Sequence, residues 1–479
     1  MSIPDEGRYP PIELSAEQQK FLLLTALCKQ LFSLADQKPV LCIFEDLQWI
    51  DHTTLEYIDF MLSQIQSRRI FVILTYRPGF EPKWIGEANV TIVNINKLPA
   101  SLSNSLIANI TGNKPLPKEV IEKIVEKTDG IPLFVEELTK TILTSGMLTE
   151  TEVGYELAGE LKNLSIPNTL HDSLMSRLDR LGSAKNVAQI GAAIGRVFNH
   201  ELIRLLTAYS EQVLQNELTK LLDAGLIFQR GTGPDTDYTF NHALIQDTAY
   251  ESLLKSRRQT LHGEIANTMV DHFPGRLDIE PEIAAHYFFR AGQTVSAIKY
   301  CLRAGIRANK RSASVEAINH LTSAMDGFAD LDPTSHDDKL KLDVMVQRVA
   351  PTIAVKGYSA PELQNLYPEI LKIGSKLGDT PQIFPALYVH WVSVWTTDNL
   401  SSALDYAKDF HKLAREQNST SASITAERIT ATVMSMDGNP TAACQLFDSV
   451  YQTINQGGAH ESLIYGQDNL VLSNSYYAM

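Results

Sequence analysis

The sequence predicts an α/β domain followed by a mostly helical chain. Three observations lead there. A run of five apolar residues, Val40–Phe44, ends abruptly in two acids, Glu45 and Asp46. Such a run is too short for a buried helix and suits a strand covered on both faces. A second run, Ile70–Thr75, follows a helical segment and stops at Tyr76-Arg77-Pro78. From about residue 98 onward the apolar spacing is helical, broken by one small hairpin. The length, 479 residues, exceeds one domain and suggests three or four.

Residues 1–12 are Pro-rich and read as a tether. Between residues 13 and 35, Leu14, Phe21, Leu22, Leu24, Leu27, Leu31 and Leu34 recur at helical spacing. Asp36–Pro39 breaks that helix before the strand at Val40. Two acids at the C-terminal end of a buried strand sit where open α/β sheets hold their ligands. In nucleoside-triphosphatases this is the Walker B position, where one acid holds Mg²⁺ and its neighbour orients or activates a water. The same residues equally fit a buried strand ending in two solvated acids. Thr53–Ser67 reads as a helix, with Thr53 and Glu56 forming a capping box. Val90–Ile95 reads as a third strand. Strand, helix, strand, strand with short connections is half of a doubly wound domain. Arg77 follows the neighbouring strand and would face the same crevice. A guanidinium there can contact a γ-phosphate as a sensor or as a stabilising charge; alone, it is an ordinary solvated arginine.

Ser101–Ile110 and Lys118–Lys127 are helical patterns, and a further helix runs over Val135–Ser145. Gly130 can end one helix and Pro132 can open the next. A helix N-terminus at that joint could approach a nucleotide, although a joint between two helices needs no ligand. Residues 149–164 read as a polar linker. From Ile166-Pro167 an α-rich unit follows, with helices over Thr169–Leu181, Ala184–Ile194, Asn199–Leu206 and Ser210–Ala224. Leu226–Gln229, a turn over Gly231–Asp235, and Tyr238–Phe240 form a hairpin. Helices closed by a hairpin describe a winged helix. Residues 165–262 carry ten basic and ten acidic side chains, a poor electrostatic footprint for DNA. That unit is therefore expected to be an interaction or switch module. His242 follows the hairpin; it either caps the next helix or reaches a nucleotide.

From residue 276 the chain reads as all-helical and weakly repetitive. Four turns, at Ala291-Gly292, Arg311-Ser312, Thr397-Asp398 and Asp437-Gly438, each precede a helix with an early alanine: Ala297, Ala317, Ala403 and Ala442. Small residues at matched positions let helices approach closely. The spacing of the last two alanines lies near the period of about 34 in tetratricopeptide repeats. A degenerate superhelix that binds a protein partner is expected, with an ordinary helical bundle as the alternative. The net charge of −14 argues against general nucleic-acid or anionic-membrane affinity. Cys28, Cys42, Cys301 and Cys444 are scattered, which fits a reducing compartment. With no 18-residue apolar span and no signal-like start, a cytoplasmic protein is expected.

Four segments combine into a recognisable pattern: Phe44–Asp51, Leu74–Pro78, Asp129–Leu138 and Phe240–Tyr250. With the helical repeats behind them, the chain resembles the STAND signalling ATPases. Within these it is most similar to bacterial multidomain proteins that place class III adenylate/guanylate cyclase domains ahead of an AAA-like ATPase and tetratricopeptide repeats. The resemblance implies a partial P-loop NTPase (AAA-like) core over 1–97 and a helical lid with linker over 98–164. A winged helix over 165–275 and a tetratricopeptide-like superhelix over 276–479 complete it. It implies an ATP-dependent switch that controls a cyclase-type output, with ATP/ADP and Mg²⁺ as cofactors. Glu45 and Asp46 would be the Walker B acids and Mg²⁺ ligands, and Arg77 the sensor arginine. Gly130 and Pro132 would form the Gly-x-Pro motif of the lid, and His242 would touch ADP. One departure is large. No Gly-x-x-x-x-Gly-Lys-Ser/Thr occurs in the sequence, so the loop that wraps the phosphates is missing. The chain is thus expected to be a fragment, a split gene product or a degenerate descendant, inactive alone without a P-loop from elsewhere. The competing reading is a non-catalytic interaction scaffold with a vestigial nucleotide site.

Overall fold

In the computed structural model, residues 14, 16–66, 68–84, 86–87, 89–145, 148–157, 169–231, 236–331, 337–358, 360–378, 383–396, 400–455, 473 and 475 are described. The tether at 1–12, Ile166-Pro167, the hairpin turn at 232–235, the turn at 397–399 and the end at 476–479 lie outside them. The chain groups into two units: 1–84 with 278–286 and 294–479, and 85–277 with 287–293.

The first unit opens with helix α1 (Ala16–Gln37), strand β1 (Val40–Phe44), helix α2 (His52–Leu62) and strand β2 (Ile70–Leu74). The strands pair in parallel, with Val40 opposite Ile70 and Phe44 opposite Leu74. On the covered face, Tyr57 of α2 meets Cys28 and Cys42, and burial pushes its hydroxyl up to about 12. The other face is open: Leu41 is 57% exposed, Ile43 55% and Phe71 67%. Coverage on both faces was expected, but two strands with helices on one side leave alternate side chains bare. The expected third strand at 90–95 is absent as well. That segment enters no ladder, and Ile95 is 93% exposed. Its apolar residues Ile92, Val93 and Ile95 are exposed.

The start of α2 also differs from expectation. Asp51, not Thr53, is its N-cap, accepting from the Thr54 N–H at 2.8 Å. Glu56 instead pairs with Lys20 and His52. Thr53 lies inside the first turn. Its N–H and hydroxyl both donate to Glu316 Oε1, at 2.8 and 2.6 Å. Capping-box spacing could not anticipate an acid supplied from 263 residues away.

The second unit contains helices α3 (Ala100–Ile110), α4 (Lys118–Thr128) and α5 (Pro132–Thr144), packed around Ile107, Val120, Ile124, Val135 and Leu138. The supposed linker at 149–164 includes an antiparallel pair, β3 (Leu148–Glu150) with β4 (Tyr155–Leu157); Gly154 packs against Pro115, so the turn is anchored. Then come α6 (Leu170–Arg180), α7 (Ala184–Ile194), β5 (Val197–Asn199), α8 (His200–Thr207), α9 (Glu211–Asp223), β6 (Ile227–Arg230), β7 (Asp237–Phe240), α10 (Ala243–Glu251) and α11 (Lys255–His272). Thr169, Asn199 and Ser210 cap α6, α8 and α9 through their side-chain oxygens. The expected hairpin gains a third strand, in the order β5-β7-β6. Three residues of β5, only one of them buried, left no period to read. Between α5 and α6, the buried Glu137 carboxylate pairs with Arg177, whose guanidinium also donates to the Ala224 carbonyl.

Two short helices, α12 (Pro274–Ile279) and α13 (Pro281–Arg290), precede the repeat region of the first unit. Its helices are α14 (Thr294–Lys310), α15 (Ser314–Ala329), α16 (Asp338–Lys356), α17 (Pro361–Leu377), α18 (Ile383–Trp395), α19 (Leu400–Glu416), α20 (Thr420–Met436) and α21 (Pro440–Asn455). Each packs on its sequence neighbours, and α16 packs on both α14 and α18, as expected of a stacked helical array. Ala297, Ala317 and Ala403 are fully buried at the same depth into their helices. In α21 the equivalent is Ala443, at 1% exposure, not Ala442. Where α14 meets α15, a Cβ on Gly305 would lie 2.6 Å from Leu321, so glycine sets the approach. No helix among the described residues is long and apolar enough to cross a membrane.

Candidate functional site

The C-terminal ends of β1 and β2 lie side by side because the strands are parallel and in register. Beyond the ladder the two chains continue to bond: Thr75 N–H donates to the Phe44 carbonyl (3.0 Å), and Leu47 N–H to the Thr75 carbonyl (2.9 Å). Between these, Asp46 N–H donates to Thr75 Oγ1 at 3.0 Å. Asp46 adopts a left-handed conformation, φ 58° and ψ 47°. Aspartate is among the few non-glycine residues that tolerate it, because its short polar side chain bonds locally. The turn that follows, Leu47–Trp49, is a single 3-10 turn with Leu47 buried as its anchor.

This backbone path places Gln48 between an acid and the arginine loop. Gln48 Nε2 donates to Asp46 Oδ1 (3.1 Å), and its Oε1 accepts from Arg77 N–H (3.1 Å). The Arg77 guanidinium lies over the Trp49 ring, 5.2 Å from its centroid. A cation on an aromatic face is held in place without neutralisation, and remains able to meet an anion. Asp46, Gln48, Trp49, Thr75 and Arg77 therefore form one cluster, with Glu45 exposed beside it. Gln48, Trp49 and Thr75 had no role in the sequence reading. They stood inside the quoted segments Phe44–Asp51 and Leu74–Pro78, but an amide bridging two loops leaves no periodic or spacing signal.

The acids suit Mg²⁺ in the way that ion is commonly held, by one or two carboxylates with waters and substrate phosphates completing the shell. They do not make a protein-only cage. Among the described residues no three His, Cys, Asp or Glu side chains come together to hold a metal.

The remaining site residues belong to the second unit. Helix α4 ends at Thr128, and Asp129 (φ 48°) and Gly130 (φ 70°) turn the chain through the left-handed region. A Cβ on Gly130 would meet the Leu98 carbonyl oxygen at 2.1 Å. Leu98 N–H donates to the Gly130 carbonyl at 2.7 Å. Only glycine fits both demands. Pro132 opens α5 at its first turn, where a missing N–H costs nothing. Lys97 pairs with Asp129 across the same joint. His242 occupies the N-cap position of α10, but its side chain makes no capping bond and is exposed. The expected capping role of the imidazole is thus not what the fold uses; the backbone carbonyl of His242 accepts from Ile245 N–H instead.

No family model matches the chain. An uncharacterized protein of Rhizobium meliloti (strain 1021) is 25% identical over 373 residues, covering 77% of this chain and 36% of that protein. The chain thus spans little more than a third of that relative. Among solved structures, a Signal Transduction ATPase with Numerous Domains (STAND) protein with a tetratricopeptide repeat sensor, from Pyrococcus horikoshii, aligns over 94% of this chain and 66% of its own. It does so at 14% identity and a TM-score of 0.38. A likeness at that level carries no argument about fold or function here.

Proposed function

We propose that this chain is the switch module of a nucleotide-dependent signalling protein, and that the β1–β2 edge is the Mg²⁺- and water-facing side of its ATP site. The observation that carries the reading is the convergence of Asp46 and Arg77 at adjacent strand ends, joined through Gln48. Asp46, with Glu45 beside it, would hold Mg²⁺; Gln48 keeps the Asp46 carboxylate oriented. Arg77, parked on Trp49, would meet the γ-phosphate. Gly130 and Pro132 would shape a lid and His242 would approach ADP, roles that rest on the resemblance to STAND ATPases. Bound Mg²⁺ would supply charge neutralisation on the phosphates. A phosphate-wrapping loop would come from outside this sequence, in a longer protein or a partner. The repeats would bind a protein partner, and the regulated output would be a cyclase-type domain, in a cytoplasmic setting.

The test is ATP turnover by the isolated chain. Without a phosphate-binding loop, it is expected to hydrolyse ATP no faster than buffer. Turnover that disappears in Asp46→Asn would overturn this division of labour and make the chain a complete ATPase. Millimolar Mg·ATP should still slow hydrogen exchange around residues 44–49 and 74–77, and Asp46→Asn should remove that protection. Exchange unchanged by ATP would leave the scaffold reading, in which the repeats act and the acids do not.

A further inference from the structure

Within the repeats, helices α17, α18 and α19 line a half-open cavity of about 300 Å³, at the lower end of the range for small-ligand sites. Its apolar wall comes from Leu371, Leu387, Phe410 and Leu413. His390 and Tyr406 add aromatic surface, ring centroids 4.5 Å apart in an edge-to-face arrangement. The ring of Tyr367 backs His390 at 4.3 Å.

Two features set this cavity apart from a packing defect. First, His390 is only 8% exposed, and its Nδ1 has no hydrogen-bond partner among the described residues. That nitrogen is sealed from water by its neighbours, so the ring meets the cavity through its other atoms. Burial pushes the His390 imidazole down to about 4, so the ring that lines the cavity is neutral at neutral pH. Second, Asp409, Lys412 and Glu416 line the same cavity from one face of α19. Two carboxylates against one ammonium leave an acidic excess, and none of the three forms an ion pair among the described residues. The exposed side of Tyr406 adds a π face that also attracts cations.

We propose that this cavity is a small-molecule site that takes a ligand with an apolar, aromatic body and one protonated amine. The body fills the wall between Leu371 and Phe410 against the His390 ring, and the amine meets Asp409 and Glu416. The proposal goes beyond the nucleotide reading and does not rest on it, since no residue of β1, β2 or their loops takes part. A chain that ignores ATP would leave it intact.

The test is calorimetric titration of the full chain with phenethylamine, alongside phenethyl alcohol and 3-phenylpropionate. The amine is expected to bind one to one with a dissociation constant of about 1 mM or tighter, and the alcohol and acid at least about tenfold more weakly. The double variant Asp409→Asn/Glu416→Gln changes exposed side chains only and should retain its helical circular dichroism while losing about tenfold in amine affinity. Leu413→Trp, which fills the cavity, should abolish binding. No binding of the amine, equal binding of all three probes, or an isotherm unchanged in the double variant would each overturn the proposal.

Discussion

The β1–β2 pair and the repeat helices are both strongly apolar segments of one unit, yet they end in opposite states. In the repeats, Ile429, Tyr367 and Ala403 are completely buried. In the strands, every second side chain is left to solvent. The difference lies in geometry. A helix in an array finds partners on both sides from its own sequence neighbours, so local connectivity closes the core. A strand has two faces and two edges, and a pair of strands supplies one shared edge and no second layer. The bare face of β1 and β2 thus presents Leu41, Ile43 and Phe71 to solvent. A covering segment would gain about 1.5–3 kcal/mol for each large side chain it buried.

That comparison can be broken by mutation. Ile429→Ala should destabilise the full chain by about 2–5 kcal/mol, because it opens a cavity in a closed core; the measure is the urea midpoint. A cost below about 1 kcal/mol would mean the array is loosely packed. Glu316→Ala should cost about 1–2 kcal/mol, since it strips the α2 N-terminus of the oxygen that accepts from Thr53. Because Glu316 sits on α15 and Thr53 on α2, the same variant should also speed hydrogen exchange in the first turn of α2. Unchanged exchange there would remove this link between strands and repeats. Phe71→Ser should change the stability of the isolated chain by no more than about 0.5 kcal/mol, read from the same urea midpoint. A large loss of stability would show that the open face is covered after all.

Much of the helical architecture was legible in the sequence. The bounds of α7, the helix starts at Thr169, Asn199 and Ser210, and Pro132 at the start of α5 follow from local chemistry: a 3.6-residue period and a proline without an N–H. What failed was strand pairing. The run at 90–95 has strand composition but enters no ladder. The polar stretch after Glu150 pairs as β4 although its composition reads as a linker. The candidate site was half legible. Two acids and an arginine after two apolar runs pointed to a shared crevice, but Gln48, the residue that joins them, could be found only in three dimensions.

By itself, then, the sequence determined the run of helices between residues 100 and 224, the acids Glu45 and Asp46 at the end of a strand, the glycine at 130 and the absence of a Gly-x-x-x-x-Gly-Lys-Ser/Thr loop. These depend on residue type and spacing within a few turns of chain. Tertiary structure alone decided that Glu316 would hold Thr53, that Gln48 would join Asp46 to the Arg77 loop, and that Leu41 and Phe71 would stay bare. It also decided that His390 would line a cavity with an unmatched nitrogen. Each of these depends on which distant segments meet, and burial and hydrogen bonding between distant segments leave no periodic mark in a single sequence.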